Sequence, residues 1–410
     1  MPQRIAVCHY AGPPVVGGVE STIAHHARGL TDLGYTVRVV SGRGAPFDER
    51  IETLIVPLID STHPDILAVK QYLDRGVVPP AFEPMRDTLV EALAGAFADC
   101  DVAIVHNAHT MNKNLALTAA LAQLDSPRLI AWCHDVAWTN PQYQSELYDG
   151  YPWDLLRQPW PGTRYVTVSE ARQTELADLL HISPGEIAVV GPGVDPARFL
   201  RWTATTQRIV QTLGLLDADV LLYLPARLTR RKNVALALRV LAEMRRQSGL
   251  DVRLIVTGPP GPHNPANPGY LGELLALRRQ LGLETAAHFL YEMDDPPLVP
   301  DDDAIADLYR ICDVLFFPSF QEGFGIPMLE AGLSGMLIFC SDILALRASG
   351  LDDAAYFDPA GDPPQAIAAR VLAALASSPG HRLRRRVRQS YRWEAIVRER
   401  LVPLIKEQHD

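Results

Sequence analysis

The 410-residue sequence lacks several features that would define its class at once. It has no apolar run long enough to span a membrane. Its N-terminus enters a strand pattern at Arg4, without the apolar segment of a signal peptide. The five cysteines are scattered and include no C-x-x-C pair, and three lie in strand patterns where cysteine commonly serves as a small buried residue. These features predict a protein of the reducing cytoplasm.

Two common nucleotide-binding motifs are also missing, since no G-x-G-x-x-G string and no G-x4-G-K-[ST] P-loop occurs. The formal net charge of −10 argues against non-specific binding of nucleic acid. One basic run stands out, formed by Arg382, Arg384, Arg385, Arg386 and Arg388. No apolar membrane-inserting face accompanies this run. We therefore predict a solvated helix face there, and membrane association that is peripheral at most.

The chain length and its patterns predict two α/β domains. At 410 residues, with 48% hydrophobic and 21% charged residues, the chain is globular and too long for one ordinary core. Short apolar runs alternate with helical patterns, which is typical of parallel layers and predicts two doubly wound, Rossmann-like domains. The predicted linker is Gly193–Thr206. The predicted strands are 4–10, 36–41, 51–57, 102–106, 129–133, 165–168, 187–190, 220–224, 253–257, 288–291, 314–317, 337–340 and 355–357.

The segment Pro318–Gly332 carries the most chemical information. It follows an apolar strand and places two carboxylates, Glu322 and Glu330, on either side of Gly323 and Gly325. Glycine permits close approach of a ligand to the backbone, or positive φ. The pattern therefore predicts a strand, a glycine-rich loop and a helix whose first turn contains Glu330. Free backbone N–H groups and the positive end of a helix dipole at such a place suit a phosphate.

A simpler interpretation of these two carboxylates is that Glu330 offsets its own helix dipole and Glu322 is solvated. The whole string, however, closely resembles the Glu-x7-Glu signature of the retaining glycosyltransferases of family 4, which have the GT-B fold. The resemblance implies that Glu330 binds the ribose hydroxyls of a nucleotide. It also implies that Glu322 and the backbone of Gly323, Phe324 and Gly325 hold the sugar and phosphates of the donor.

A second motif follows the predicted strand 220–224. Arg227 and Lys232 match in spacing the Gly-Arg-Leu-x3-Lys element of the same family, with Ala226 in place of the usual glycine. A basic pair at the end of a strand is well placed to neutralise a diphosphate. We predict that Arg230 and Arg231, which lie between the two, are solvated turn residues.

Two further candidates lie in the first half of the chain. Gly18 belongs to a Gly-Gly turn after the first strand, which resembles the family loop whose amides approach the donor phosphate and often the acceptor, although such a pair is most often only a turn. His134 ends the predicted strand 129–133 and matches a family histidine that contacts the donor sugar, although it is equally compatible with a structural role. Asp135 is a candidate to orient the ring of His134 or to meet the acceptor.

Metal-binding patterns are weak throughout the sequence. His106 and His109 lack further ligands nearby, and the resemblance is to a metal-independent family, so we predict no metal site. The literal Asp-x-Asp strings at Asp217–Asp219 and Asp301–Asp303 do not follow strands, so we interpret them as turn or helix-cap residues.

The resemblance implies an N-terminal acceptor domain at 1–200 and a C-terminal donor domain at 207–391, facing each other across a cleft that holds the active site. A last helix at about 392–410 is expected to pack back on the first domain. The predicted function is a retaining, metal-independent hexosyltransferase that needs no cofactor. Its donor is a nucleoside diphosphate sugar, similar to UDP-glucose or GDP-mannose, and its acceptor is an unidentified hydroxyl. The alternatives are another GT-B enzyme, such as an epimerase or a phosphorylase, and a non-catalytic protein that binds nucleotide sugars.

Overall fold

The structure, a computed structural model, describes residues 3–261 and 267–407. The chain divides into two compact units. Unit 1 contains the residues up to Val194 and those from Tyr391 onward, and unit 2 is Asp195–Ser390. The division follows Val194, the second residue of the predicted linker. That linker prediction was wrong in detail, because Gly193–Thr206 contains one short helix and the start of another.

Unit 1 is built on a sheet of seven parallel strands in the order β3-β2-β1-β4-β5-β6-β7. The strand order reverses between β1 and β4, where Ile5 is in register with Val102. Such a reversal opens a crevice at the carboxyl ends of the strands. The strands are β1 (Arg4–Ala11), β2 (Thr36–Arg43), β3 (Glu52–Ile55), β4 (Val102–His106), β5 (Arg128–Cys133), β6 (Arg164–Thr167) and β7 (Ile187–Val189).

Helices cover both faces of this sheet, because successive side chains of its buried strands point to opposite sides. In β1, Ile5 and Val7 join one hydrophobic cluster while Ala6 and Cys8 join another. The helices before the crossing into unit 2 are α1 (Gly18–Asp32), α2 (Pro64–Leu73), α3 (Phe82–Phe97), α4 (Leu115–Leu121) and α5 (Glu170–Leu180).

The C-terminal segment returns to unit 1 as two short helices joined by a π-helical turn. Its residues Val397 and Leu401 are buried with Ile23 and Leu30 of α1. The guanidinium of Arg128 donates to the carbonyl oxygens at the end of this segment. The last three residues of the predicted helix 392–410 lie outside the described residues. The elements of the segment, which follow those of unit 2 in chain order, are α15 (Trp393–Ile396), the π-helix Val397–Leu401 and α16 (Val402–Lys406).

Unit 2 has a six-stranded parallel sheet in the order β10-β9-β8-β11-β12-β13, which reverses between β8 and β11. The strands are β8 (Val220–Leu224), β9 (Val252–Val256), β10 (Ala287–Phe289), β11 (Val314–Phe317), β12 (Leu337–Ser341) and β13 (Ala355–Phe357). The helices are α6 (Pro196–Leu200), α7 (Ala204–Thr212), α8 (Val234–Ser248), α9 (Asn267–Gln280), α10 (Asp302–Ile311), α11 (Ile326–Leu333), α12 (Leu344–Gly350), α13 (Pro364–Ser377) and α14 (Pro379–Ser390).

The prediction of two Rossmann-like, doubly wound α/β units is confirmed. All thirteen predicted strands are present, and their ends differ from the prediction by at most two residues. The hydrophobic pattern was sufficient because strands buried on both faces are nearly continuous apolar runs.

The prediction of a solvated basic helix was wrong for three of its five arginines. On α14, Arg388 is only 4% exposed and donates to the buried carboxylate of Asp313 at 3.0 Å. Arg385 donates twice to Asp219, and Arg384 donates to a backbone carbonyl. This corrects the interpretation of Asp219 as a turn or cap residue, whereas Asp301 does cap α10 through Ala304 N. The basic run thus anchors α14 to unit 2.

Candidate functional site

The glycine-rich loop lies between β11 and α11, as predicted. Gly325 is the N-cap of α11 at φ 92°, and a Cβ there would lie 2.5 Å from a methyl of Leu346, so the turn requires glycine. No side chain caps the helix. Among the described residues, the backbone amides of Gly323, Phe324 and Gly325 have no hydrogen-bond acceptor. The loop therefore presents unpaired N–H groups, which is the arrangement that binds anions.

The two motifs of unit 2 meet at neighbouring strands. The ammonium of Lys232, after β8, donates to Glu322 Oε1 at 2.6 Å, and Glu322 follows β11. Both side chains are largely buried, with exposed fractions of 13% and 8%. Lys232 also lies 4.9 Å from the ring centre of Phe317. The contact places a buried cation at the carboxyl edge of the sheet, where it reverses.

The arginines around Lys232 differ from one another in their environment. Arg227 is exposed and has no partner among the described residues, so its guanidinium is available to a ligand. Arg230 pairs with Glu273 at the surface, in keeping with its predicted place in a solvated turn. The same prediction was wrong for Arg231, whose guanidinium donates to Glu322 Oε2 at 3.1 Å. Its neighbourhood in sequence gave no sign of this, because Glu322 lies about ninety residues away.

Glu330 is the fifth residue of α11 and lies just beyond the first turn of this helix, within which it was predicted to lie. Its carboxylate accepts a hydrogen bond from the hydroxyl of Tyr309, on α10, at 2.6 Å. Burial and the adjacent Glu330 carboxylate together raise the pKa of Tyr309, so its hydroxyl stays protonated as a donor. Tyr309 in turn packs edge-on against Tyr223 of β8, with ring centres 4.8 Å apart. The orientation of Glu330 is thus set from the core of unit 2.

A groove of about 750 Å³ opens beside the Glu330 carboxylate, between α10 and α11. Polar and apolar side chains both line it, among them Asp302, Ile305, Leu333 and Ser334. Its size falls within the range of small-molecule sites in proteins. The groove, with an oriented carboxylate at its wall, is a candidate nucleotide-binding site.

Gly18 is the first residue of α1 in unit 1, where β1 ends and the sheet reverses. Gly17 is the N-cap and makes no side-chain hydrogen bond. A Cβ on Gly18 would meet nothing within 4 Å, so the space around this residue is open to a ligand. The N-terminus of a fifteen-residue helix is a favourable place for a negative charge.

His134 lies directly after β5, as predicted, and its ring contacts another histidine. Its Nε2 is 2.9 Å from Nδ1 of His106, at the end of β4. The side chain of Asn107 accepts from the backbone N–H of His134 at 2.8 Å, which fixes the turn. The proposal that Asp135 orients the ring is not supported, since Asp135 is half exposed and lies 3.9 Å from Arg172. His106 and Asn107 hold His134 instead.

The histidines of this region are held neutral by burial. Burial lowers the pKa of His134 to about 4, against a smaller opposing effect of Asp135, and it lowers the pKa of His106 further. His9, whose Nδ1 donates to the His106 carbonyl, also has its pKa lowered to about 4 by burial. A neutral His134 acts as a hydrogen-bonding group at pH 7 rather than as a cation.

His109 lies away from the candidate site residues and tests whether a buried neutral histidine makes the stability of the fold depend on pH. It is buried against Trp160, and burial lowers its pKa to about 3. Below pH 6.5 the unfolded chain therefore binds a proton at this position that the folded chain does not, so stability falls as pH falls. Each such histidine contributes about 1.4 kcal/mol per pH unit in this range.

We expect His109→Phe to make the unfolding free energy less dependent on pH between 6.5 and 5, by about one proton. Urea unfolding at several pH values measures this. An unchanged slope would contradict a neutral buried His109.

Several functional candidates were not identified from the sequence. Tyr309, Arg231, His106 and Asn107 reach site residues only through tertiary contacts, and no local pattern marks them. His106 and His109 do not form a metal site with other residues, since the described part of the chain contains no group of three or more potential metal-binding side chains. Within the same residues, no helix has both the length and the apolar character that a membrane span requires.

Comparison with protein families gives two matches that together span most of the chain. Residues 16–198 match Glycosyltransferase Family 4, and residues 206–392 match Glycosyl transferases group 1. The first region contains β2 to β7 of unit 1, and the second contains all six strands of the sheet of unit 2. The family resemblance stated from the Glu-x7-Glu motif is confirmed.

Individual relatives are more distant. A D-inositol 3-phosphate glycosyltransferase of Kineococcus radiotolerans is 31% identical over 262 residues, which cover 62% of this chain and 52% of the relative. This chain thus spans about half the length of that relative. An MMP alpha-(1->4)-mannosyltransferase of Mycolicibacterium hassiacum is 25% identical over 96% of both chains. Among solved structures, a glycosyltransferase from Rickettsia africae aligns over 99% of this chain and 100% of its own, with 15% identity and a TM-score of 0.39.

Proposed function

Because the chain belongs to the GT-B glycosyltransferases, with a Glycosyltransferase Family 4 domain followed by a Glycosyl transferases group 1 domain, we propose that it is a retaining hexosyltransferase. Its donor is a nucleoside diphosphate sugar, of the UDP-glucose or GDP-mannose type, and its acceptor carries a hydroxyl. The nucleotide sugar is a co-substrate, and the reaction as proposed uses no resident metal or cofactor. We place it in the cytoplasm, in keeping with five free cysteines.

The contact between Lys232 and Glu322 is the observation that carries this proposal. It joins two motifs that are ninety residues apart, at the point where the sheet of unit 2 reverses. Parallel α/β sheets bind ligands at this point. The unpaired amides of Gly323–Gly325 follow Glu322 directly, so cation, carboxylate and N–H donors occur on one stretch of surface.

The proposed chemistry follows from the charges that the reaction creates. When the bond between the anomeric carbon and the phosphate oxygen breaks, negative charge collects on the departing diphosphate and positive charge on the sugar ring. Preorganised cations and N–H dipoles stabilise the diphosphate as it leaves. Arg227, Lys232 and the loop amides take this role. Glu322 contacts the sugar, and Glu330 accepts hydrogen bonds from the ribose hydroxyls.

Retention follows from attack on the same face of the sugar. The acceptor oxygen forms the new bond to the anomeric carbon, and its proton passes to an oxygen of the leaving phosphate, so atoms and charges balance. Among the site candidates no carboxylate is assigned as a covalent nucleophile. This mechanism is the one implied by the family resemblance.

The acceptor is assigned to unit 1. His134 and Gly18 both lie at the carboxyl edge of its sheet, and neutral His134 suits a hydrogen bond to a sugar hydroxyl. The name of the Kineococcus relative supplies D-inositol 3-phosphate as a first acceptor to test. The chain covers about half of that relative, so D-inositol 3-phosphate is tested beside simple sugars.

Other enzymes with the same scaffold, and a non-catalytic sensor, would give different results in an assay with a nucleotide sugar. A phosphorylase would act with inorganic phosphate in place of a nucleotide, and an epimerase would isomerise the sugar without transfer. A non-catalytic sensor would bind a nucleotide sugar and leave it intact. The buried cation beside Glu322 favours transfer, because it stabilises a leaving diphosphate more than it does an intact donor.

A thermal-shift panel of UDP, GDP, ADP, their glucose and mannose derivatives, and inorganic phosphate tests the donor assignment. A ligand that binds only the folded chain stabilises it by about 2.7 kcal/mol at a concentration one hundred times its Kd. We expect one nucleotide series to raise the melting temperature by several degrees and the others to raise it less. No shift with any of them would contradict the proposal, and a shift with inorganic phosphate alone would favour a phosphorylase.

A further inference from the structure

Arg231 makes three contacts with the loop that carries Glu322. Its backbone carbonyl accepts from the N–H of Phe320 at 2.9 Å. Its guanidinium donates to the carbonyl of Gln321 and to Glu322 Oε2, the latter at 3.1 Å. One residue therefore holds the loop by both main chain and side chain at three successive positions.

The two oxygens of Glu322 are divided between two cations. Oε1 accepts from Lys232 and Oε2 accepts from Arg231. The side chain of Glu322 is 8% exposed, whereas that of Arg231 is 47% exposed. A carboxylate so poorly hydrated is costly without a cation beside it.

This division matters when an anion approaches Lys232. An ammonium that turns its donors to a diphosphate weakens its bond to Glu322. The guanidinium of Arg231 has five N–H donors in a rigid fork, so it can keep Glu322 and the Gln321 carbonyl at the same time. Glu322 then keeps a cation beside it and keeps its orientation while Lys232 binds the donor diphosphate.

We propose that Arg231 is a positioning residue that holds Glu322 and its loop while Lys232 engages the donor diphosphate. The inference rests on the proposed function, since it concerns the same site. It assigns Arg231 no contact with the nucleotide. Arg231 acts through Glu322, and its effect should therefore appear in turnover rather than in nucleotide affinity.

Arg230 provides a matched control, because it is the adjacent residue with the same side chain in the same turn. Its guanidinium pairs with Glu273 and lies over the ring of Tyr270, on a different part of unit 2. Removal of Arg230 takes away a positive charge from the adjacent residue but leaves both cation contacts of Glu322 in place. Any general effect of positive charge near the site should therefore appear equally in both variants.

The experiment compares wild type, Arg231→Ala, Arg231→Lys and Arg230→Ala in the full chain. Turnover is measured with the nucleotide sugar that the panel selects, and affinity with its nucleoside diphosphate alone. We expect Arg231→Ala to lower kcat about tenfold and to change nucleoside diphosphate affinity by less than about threefold. Arg231→Lys should recover most of the turnover, and Arg230→Ala should resemble wild type.

A double-mutant cycle with Glu322→Gln tests the route of the effect. If Arg231 acts through Glu322, then Arg231→Ala should cost little further turnover in the Glu322→Gln background. Full additivity, equal losses in the two arginine variants, or a loss of nucleotide affinity that matches the loss of kcat would each overturn the proposal. Failure of the proposed function would look different, since wild type itself would then neither bind the nucleotides nor turn over.

Discussion

Lys232→Ala is expected to lower turnover by about two to three powers of ten, the cost of removing one preorganised stabilising group from a developing charge. The reason lies in its burial, because an ammonium with 13% exposure interacts with a diphosphate in a medium of low dielectric. The fold should survive, since Arg231 still compensates Glu322. Steady-state kinetics with the selected nucleotide sugar measures the effect.

The control for this variant is again Arg230→Ala, which removes a neighbouring charge that pairs elsewhere. Circular dichroism and a melting curve should show both variants folded. If Lys232→Ala keeps the turnover of the wild type, the assignment of this lysine to the diphosphate is wrong.

Glu330→Ala is expected to raise the Kd of the nucleoside diphosphate about a hundredfold, because two charge-assisted hydrogen bonds to the ribose are lost. These bonds exist in the ground state and in the transition state alike, so the loss should appear in binding more than in kcat. Isothermal titration with the nucleoside diphosphate measures it. Glu322→Ala should show the opposite pattern, with turnover lowered more than the donor KM is raised.

Tyr309→Phe should have a smaller effect on nucleotide affinity than Glu330→Ala. It removes the hydroxyl that orients the Glu330 carboxylate and leaves the charge in place, so affinity should fall by about fivefold to tenfold. Glu330→Gln keeps an acceptor for the tyrosine and serves if the alanine variant is unstable. Equal nucleotide affinity in wild type and Glu330→Ala would contradict the ribose assignment.

The fold was predictable from the sequence because hydrophobic runs determine where buried parallel strands begin and end. Even the three-residue strands β7, β10 and β13 were identified, within two residues of their ends. The basic helix was misjudged for a physical reason. Arginines on α14 reach Asp219 and Asp313, which lie just before β8 and β11, and such long-range pairs leave no local pattern.

The candidate site was predictable only in part. Lys232, Glu322 and the loop glycines follow strands, where the fold itself brings residues to one edge, and the structure places Lys232 beside Glu322. Tyr309 and Arg231 could not be assigned, because each contacts its glutamate from another element. Glu330 was placed slightly too early in α11, because the helix already begins at Ile326, so Glu330 is its fifth residue and lies just beyond the first turn.

The most direct test of the central claim is the release of nucleoside diphosphate from the selected nucleotide sugar, in wild type and Lys232→Ala, with the product followed by NMR. D-inositol 3-phosphate and simple sugars serve as acceptors. The account predicts that wild type releases the nucleoside diphosphate and forms a glycoside with the anomeric configuration of the donor, while Lys232→Ala does so at least a hundredfold more slowly. A donor that binds and stays intact, or a product of inverted configuration, would contradict it.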